Sequence, residues 1–253
     1  MNSNVSTERD ESIRTYGAIV FAVLIAVIGA FMMTLTSSPA MKGATMLWIP
    51  AALQLIAGVW FGPVRGGIAG GIGAYAAGII AYGGWGPVDI IINLVAGGVA
   101  NAWLPAILFK TFKINPDFGA DAKNMMSAII KIIGILLIVL VLGILPLFFS
   151  DMGKWVYAII GLVLFVWLPI MFWKIKINKF HFVVAVIICM FISAISALIG
   201  MYGVMIGGIE SWEAALGGTG VGWFLGDIAS CFLGLYMLAY FTPRARKMGL
   251  CRL

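Results

Sequence analysis

The sequence predicts an all-α integral membrane protein built as a polytopic helical bundle. Three observations carry that prediction. Of 253 residues, 62% are hydrophobic and only 10% are charged, whereas soluble domains run at about 45–50% apolar and about 25% charged. The mean hydropathy is +1.08. The apolar residues also fall in long unbroken runs rather than in short alternating segments. The first two observations exclude a soluble globular enzyme, a disordered chain and a small disulfide scaffold, because so much apolar surface exceeds what a soluble core can hide. The third excludes an open β-barrel and leaves helices, whose backbone bonds are satisfied within each segment.

Eight runs are candidate spans: 16–34, 47–61, 66–82, 88–109, 127–149, 155–173, 182–205 and 221–241. A crossing helix needs about 20 residues. The second and third runs are short and separated only by Gly62-Pro63-Val64-Arg65. They are either two tilted spans joined by a tight turn or a helix pair that does not fully cross. Residues 1–15 form a polar segment with no signal-peptide pattern, so the first span is expected in the mature chain. Residues 16–241 form a single transmembrane domain, and 242–253 a basic tail.

Basic residues set the orientation. With the N-terminus inside and eight alternating spans, the inner side holds Arg9, Arg14, Arg65, Lys110, Lys113, Lys123, Lys131, Lys174, Lys176, Lys179, Arg244, Arg246, Lys247 and Arg252. The outer side holds only Lys42 and Lys154. This bias follows the positive-inside rule and predicts a multi-pass protein of the cell membrane with both termini cytoplasmic. It also accounts for the formal net charge of +6 through topology and anionic lipid, with no nucleic-acid partner. Trp48, Trp85, Trp155 and Trp212 fall near the predicted outer boundary and Trp173 near the inner one, positions typical of interfacial anchors.

Ionisable groups inside spans are costly and therefore mark candidate sites. Two carboxylates qualify. Asp89 begins the fourth span after Trp85-Gly86-Pro87, where it is either a helix cap or a ligand contact. Asp227 lies about two turns, roughly 10 Å, below the outer end of the eighth. Asn93 follows Asp89 by four residues and shares its face. Asn101 lies two turns further along, and Gln54 sits in the middle of the second run. These groups are placed to line one outward-opening cavity. Trp85, Trp223 and Tyr75 are candidate stacking partners for a planar ligand. Small residues give a second signal: Ala18, Ala22, Ala26 and Ala30 in the first span, and Gly66, Gly70, Ala74 and Gly78 in the third, rows that let helices approach closely.

Several chemistries have no residues to support them. There is no GxxxxGK[ST], HExxH or GxSxG motif, so neither an ATPase nor a hydrolase reading has a foothold. The three cysteines form no CxxC pair, and no metal site or cofactor is expected. His181, the single histidine, is read as a solvated loop residue at the inner boundary.

With these residues in view, the chain resembles the substrate-binding S components of energy-coupling factor (ECF) transporters. The likeness rests on the Ala18, Ala22, Ala26 row and on Phe61-Gly62-Pro63-Val64-Arg65-Gly66-Gly67 with its spaced glycines. It rests also on Gly83-Gly84-Trp85-Gly86-Pro87-Val88-Asp89 followed by Asn93, and on Gly226-Asp227 in the last helix. It covers roughly residues 14–109 and 182–247. The resemblance implies a six-helix core that captures a vitamin-like micronutrient from outside and has no ATPase of its own. It implies a transmembrane T component docked on the alanine row and cytoplasmic P-loop ATPases as partners. Family members typically have six helices, so 127–173 reads either as an extra hairpin inserted in that core or as part of a different transporter fold. Two other readings stand beside this one: a stand-alone proton-coupled secondary transporter, and a membrane ligand-binding or scaffold protein that moves nothing.

The topology is open to direct test. A reporter fused after Leu253 should read cytoplasmic, and reporters at Lys113 and Lys176 should read the same side. An external readout at Leu253, or opposite sides for the two lysines, would overturn the eight-span arrangement.

Overall fold

The computed structural model describes residues 3–36, 48–84, 86–120 and 176–251, together with 130, 134 and 166. Trp85 and, but for those three single residues, the predicted hairpin 127–173 lie outside the described residues. Among the described residues every regular element is helical: α1 (Ser3–Thr36), α2 (Pro50–Phe61), α3 (Pro63–Tyr82), α4 (Pro87–Thr111), α5 (Lys179–Ile206) and α6 (Val221–Lys247). The turn Trp212–Ala214 and the π-helical Ala215–Gly220 lead into α6. Five of these helices, all but α2, are long and apolar enough to cross a bilayer. The chain is an all-α, multi-pass membrane bundle.

α2 resolves the ambiguity over the two short runs. Its twelve residues are all buried and rise only about 18 Å at about 1.5 Å per residue, short of the roughly 30 Å hydrocarbon layer. A helix apolar on every side belongs inside a core rather than at its surface. The turn into α3 follows from two residues. Gly62 adopts φ +87°, a conformation open to glycine, and Pro63 stands at the first helical position, where its missing N–H costs nothing.

Around α2 the helices meet backbone to backbone. A Cβ at Gly58 would stand 1.9 Å from the Ala102 carbonyl oxygen, and one at Gly70 would stand 2.7 Å from that of Gly97. The glycine row of α3 is therefore used for packing within the chain. The alanine row of α1 is used in the same way. Ala18, Ala26 and Ala30 are buried, and a Cβ at Gly73 of α3 would stand 2.7 Å from the Ala22 carbonyl oxygen. The face on which Ala18, Ala22 and Ala26 were expected to dock a partner packs against α3 within the chain. Small side chains let α3 close onto this face, while Ile19, Val23 and Val27 occupy the exposed side.

The rest of the core holds α2 against α6. The Trp60 indole N–H donates to the Thr242 hydroxyl at 3.0 Å, and Phe21 meets Phe61 edge-on at 5.1 Å. α4 departs from ordinary helix geometry: from Ile90 to Trp103 it is π-helical, and the Leu104 N–H bonds back five residues to the Val99 carbonyl. π-Helices are rare and concentrate at functional sites.

All ten Lys and Arg among the described residues gather at one end of the bundle. There the Asn178 N–H bonds the Phe118 carbonyl at 2.7 Å, and Arg246 pairs with Asp117 and donates to Asn115 at 2.6 Å. His181 is not a solvated loop residue. It lies in the first turn of α5, where its Nδ1 accepts from the Asn115 N–H at 3.1 Å. The C-terminal residues return to α1 at this end, with Leu250 filling the space left by Gly17.

Replacing a helical glycine by alanine ordinarily stabilises a helix by up to about 1 kcal/mol. At Gly58 the sign should invert, because the Ala102 carbonyl is backbone and cannot rotate away. Gly58→Ala should lower the melting temperature of detergent-solubilised protein by several degrees or abolish its monodisperse elution.

Candidate functional site

Buried Gln54, Asp89, Asn93, Asn101 and Asp227 form two hydrogen-bonded clusters on the side away from the basic end. The first is centred on Gln54 of α2, which has no exposed surface. Its carbonyl oxygen accepts from the Trp48 indole and from the Asn101 amide, both at 3.2 Å. Its own amide donates to the Gly70 carbonyl at 3.2 Å. Asn101 spends its second N–H on the Asp227 carboxylate, also at 3.2 Å, and the Ser196 hydroxyl faces the same carboxylate. One chain of hydrogen bonds thus links α2, α3, α4, α5 and α6.

The second cluster lies where α3 gives way to α4. Asp89, 1% exposed, accepts at one oxygen from the Tyr82 hydroxyl at 3.2 Å and from the Asn93 amide at 3.1 Å. Asp89 stands in the first turn of α4, where the helix dipole favours negative charge. Two glycines make room for these polar groups. A Cβ at Gly78 would press on Tyr82 and Asn93, and one at Gly97 would stand 2.8 Å from the Gln54 amide nitrogen.

Between the clusters lies a small cavity of about 20 Å³, lined by Trp48, Asn93, Asn101, Ser196, Trp223 and Asp227 with apolar neighbours from α1, α3 and α4. That volume holds about one water molecule. Two buried polar atoms of its lining have no partner: the Asn101 carbonyl oxygen and the Trp223 indole nitrogen. Buried polar groups are nearly always bonded, and each exception calls for an explanation. The cavity wall therefore carries one unpartnered acceptor and one unpartnered donor.

Of the residues singled out in the sequence, Asn93, Asn101, Asp227 and Trp223 line this cavity. Gln54 lies directly behind Asn101, and Asp89 directly behind Asn93. Tyr75 does not belong with them: it is half-buried on α3 while its neighbour Ala74 faces the cavity. Ser196 and the Tyr82 hydroxyl were not visible in the sequence, because Ser and Tyr are common in membrane helices and at their ends. Trp48 was read as an interfacial anchor, whereas its indole N–H turns inward to Gln54. Among the described residues no group of three His, Cys, Asp or Glu side chains could hold a metal ion.

No protein-family model, no curated protein and no solved structure matches the chain. The functional argument therefore rests on the site itself.

Gln54→Leu removes the acceptor shared by Trp48 and Asn101 and strands both donors. Each stranded buried group costs about 1–3 kcal/mol. The variant should melt several degrees below the parent in detergent, and Asn101→Leu, which strands fewer partners, should fall by less.

Proposed function

We propose that the chain is a membrane-embedded capture protein that binds one small polar molecule between α4, α5 and α6, and that it serves as the substrate-binding subunit of an ECF-type transporter. The observation that carries the binding reading is the pair of unpartnered groups, Asn101 Oδ1 and Trp223 Nε1, beside the Asp227 carboxylate in one buried cavity. The guest they suit presents an N–H donor to Asn101 and Asp227, an acceptor to Trp223, and a flat face for the indole. That is the chemistry of an amino-substituted nitrogen heterocycle, in keeping with a vitamin-like micronutrient. To admit it, the cavity must widen between the lining side chains of Met33, Trp48 and Trp223.

The transporter assignment rests on the resemblance in sequence and on the lack of any ATPase motif in the chain. A transmembrane partner and cytoplasmic P-loop ATPases would supply the energy. Since the alanine row is covered by α3, the docking surface belongs to the exposed side of the bundle. In this reading the basic end faces the cytoplasm, following the positive-inside rule. A second reading, proton-coupled transport by the chain alone, is favoured by one observation. Asp227 is buried while every described Lys and Arg lies at the opposite end of the bundle.

Two measurements test these readings. Protein purified from native membranes should release a nitrogen-containing small molecule on denaturation, and Asp227→Asn should bind that molecule at least about tenfold more weakly, the loss expected for a charge-assisted hydrogen bond, with unchanged folding. Unchanged affinity would overturn the site. Affinity purification should bring down P-loop ATPases. Uptake by the lone chain in proton-loaded vesicles would instead select the second reading.

A further inference from the structure

At the basic end, Arg14, Arg65 and Lys110 converge on an open cavity of about 430 Å³ between α1, α2, α3 and α4. Volumes of this size are typical of small-molecule sites. Arg14 is the unusual member. It is only 7% exposed, its Nε has no hydrogen-bond partner, and its guanidinium approaches Glu11 no closer than 3.7 Å. Arg65 is already engaged, donating to Thr15 at 3.1 Å and to Glu11 at 3.2 Å. Glu11 offsets one positive charge of the three, which leaves Arg14 and Lys110 to face the cavity with an excess of two. The first turn of α3 begins at the same place, and its leading N–H groups have no carbonyl before them to bond. Such a site is suited to an anion.

The cavity does not end there. Pro63 and Val64, which form part of its wall, also begin an apolar groove of about 480 Å³ that runs along the outer surface between α3 and α4. Gly67, Gly71 and Gly98 line this groove with no side chains, while Ile68, Ile72 and Trp103 stand beside them. A basic hollow that opens into an apolar groove between two membrane-length helices matches one kind of molecule. We infer that this continuous feature binds a single anionic phospholipid, with its phosphate between Arg14 and Lys110 and an acyl chain in the glycine-floored groove. A free phosphate ion shares the headgroup chemistry but leaves the groove unused. Basic pockets between membrane helices commonly hold such headgroups. The inference is independent of what the polar cavity at the other end binds.

The test uses the full chain in nanodiscs, with bound lipid counted by native mass spectrometry. In mixed phosphatidylglycerol and phosphatidylcholine discs the parent should retain one phosphatidylglycerol. Lys110→Gln should lower that retention about fivefold, the effect of roughly 1 kcal/mol per surface cation, and Arg14→Gln about tenfold or more. Ile68→Trp, which fills the groove without touching a charge, should also lower retention while leaving the melting temperature in detergent unchanged. Lys113→Gln, outside the cavity, should have no effect. Equal losses for Lys113→Gln and Lys110→Gln would overturn the site in favour of general surface attraction. Full retention in Ile68→Trp would overturn the acyl groove. Inorganic phosphate raising the melting temperature in phosphatidylcholine discs as much as phosphatidylglycerol does would overturn the lipid as occupant.

Discussion

Gln54 sits at the centre of the bundle with neither water nor lipid within reach, so every hydrogen bond its amide makes must come from the chain. That requirement orders what surrounds it. Trp48 must turn inward, Asn101 must present its amide, and the Gly70 carbonyl must come close enough to accept. Close approach in turn demands glycine at positions 70 and 97, where a Cβ would strike the opposite backbone or the amide itself. A buried polar network of this kind is stable only when its members are satisfied together. Asn101 then passes the chain of bonds to Asp227 of α6. The candidate site is thus the far end of the same network that fixes the helix positions, which keeps its polar groups in place before any guest arrives.

The polarity of the molecule is divided along its long axis. One end gathers the described cations and closes on itself through Arg246, Asp117 and Asn115. The other half carries the buried Asp89 and Asp227 and the amides of Gln54, Asn93 and Asn101. The separation keeps the described lysines and arginines away from Asp227, whose carboxylate accepts from the Asn101 amide instead. The same separation leaves Arg14 without a full partner at its own end.

Much of the fold was legible because lipid imposes a simple rule. Runs of about 20 apolar residues must be helices, and among the described residues five long apolar helices stand where such runs were read. α2 was harder to place, since a run too short to span and a helix wholly inside a core look alike in hydropathy. The π-helical course of α4 left no mark in the sequence at all. Asn93, Asn101 and Asp227 could be picked out because polar groups in a span need a reason to be there. Ser196 could not, because a hydroxyl can bond its own helix and is inexpensive in an apolar run. Spacing alone marks the alanine row of α1 as a face for close packing but does not say what packs there; within the chain, Gly73 of α3 does. Trp48 was misassigned for a related reason: sequence position gives the depth of an indole but not the direction of its N–H.

The complete burial of α2 has a consequence for how the molecule meets membranes of different thickness. A bilayer that thickens or thins acts on helices through the lipid that touches them, by tilting them or by drawing their ends inward. α2 touches no lipid, because all twelve of its residues are covered by protein. Among the described helices, the elastic load therefore falls on the five long apolar ones and reaches Gln54 only through their shared packing. The polar network hangs from a helix that the surrounding bilayer cannot grip, and its geometry is shielded from the mechanical state of the membrane around it.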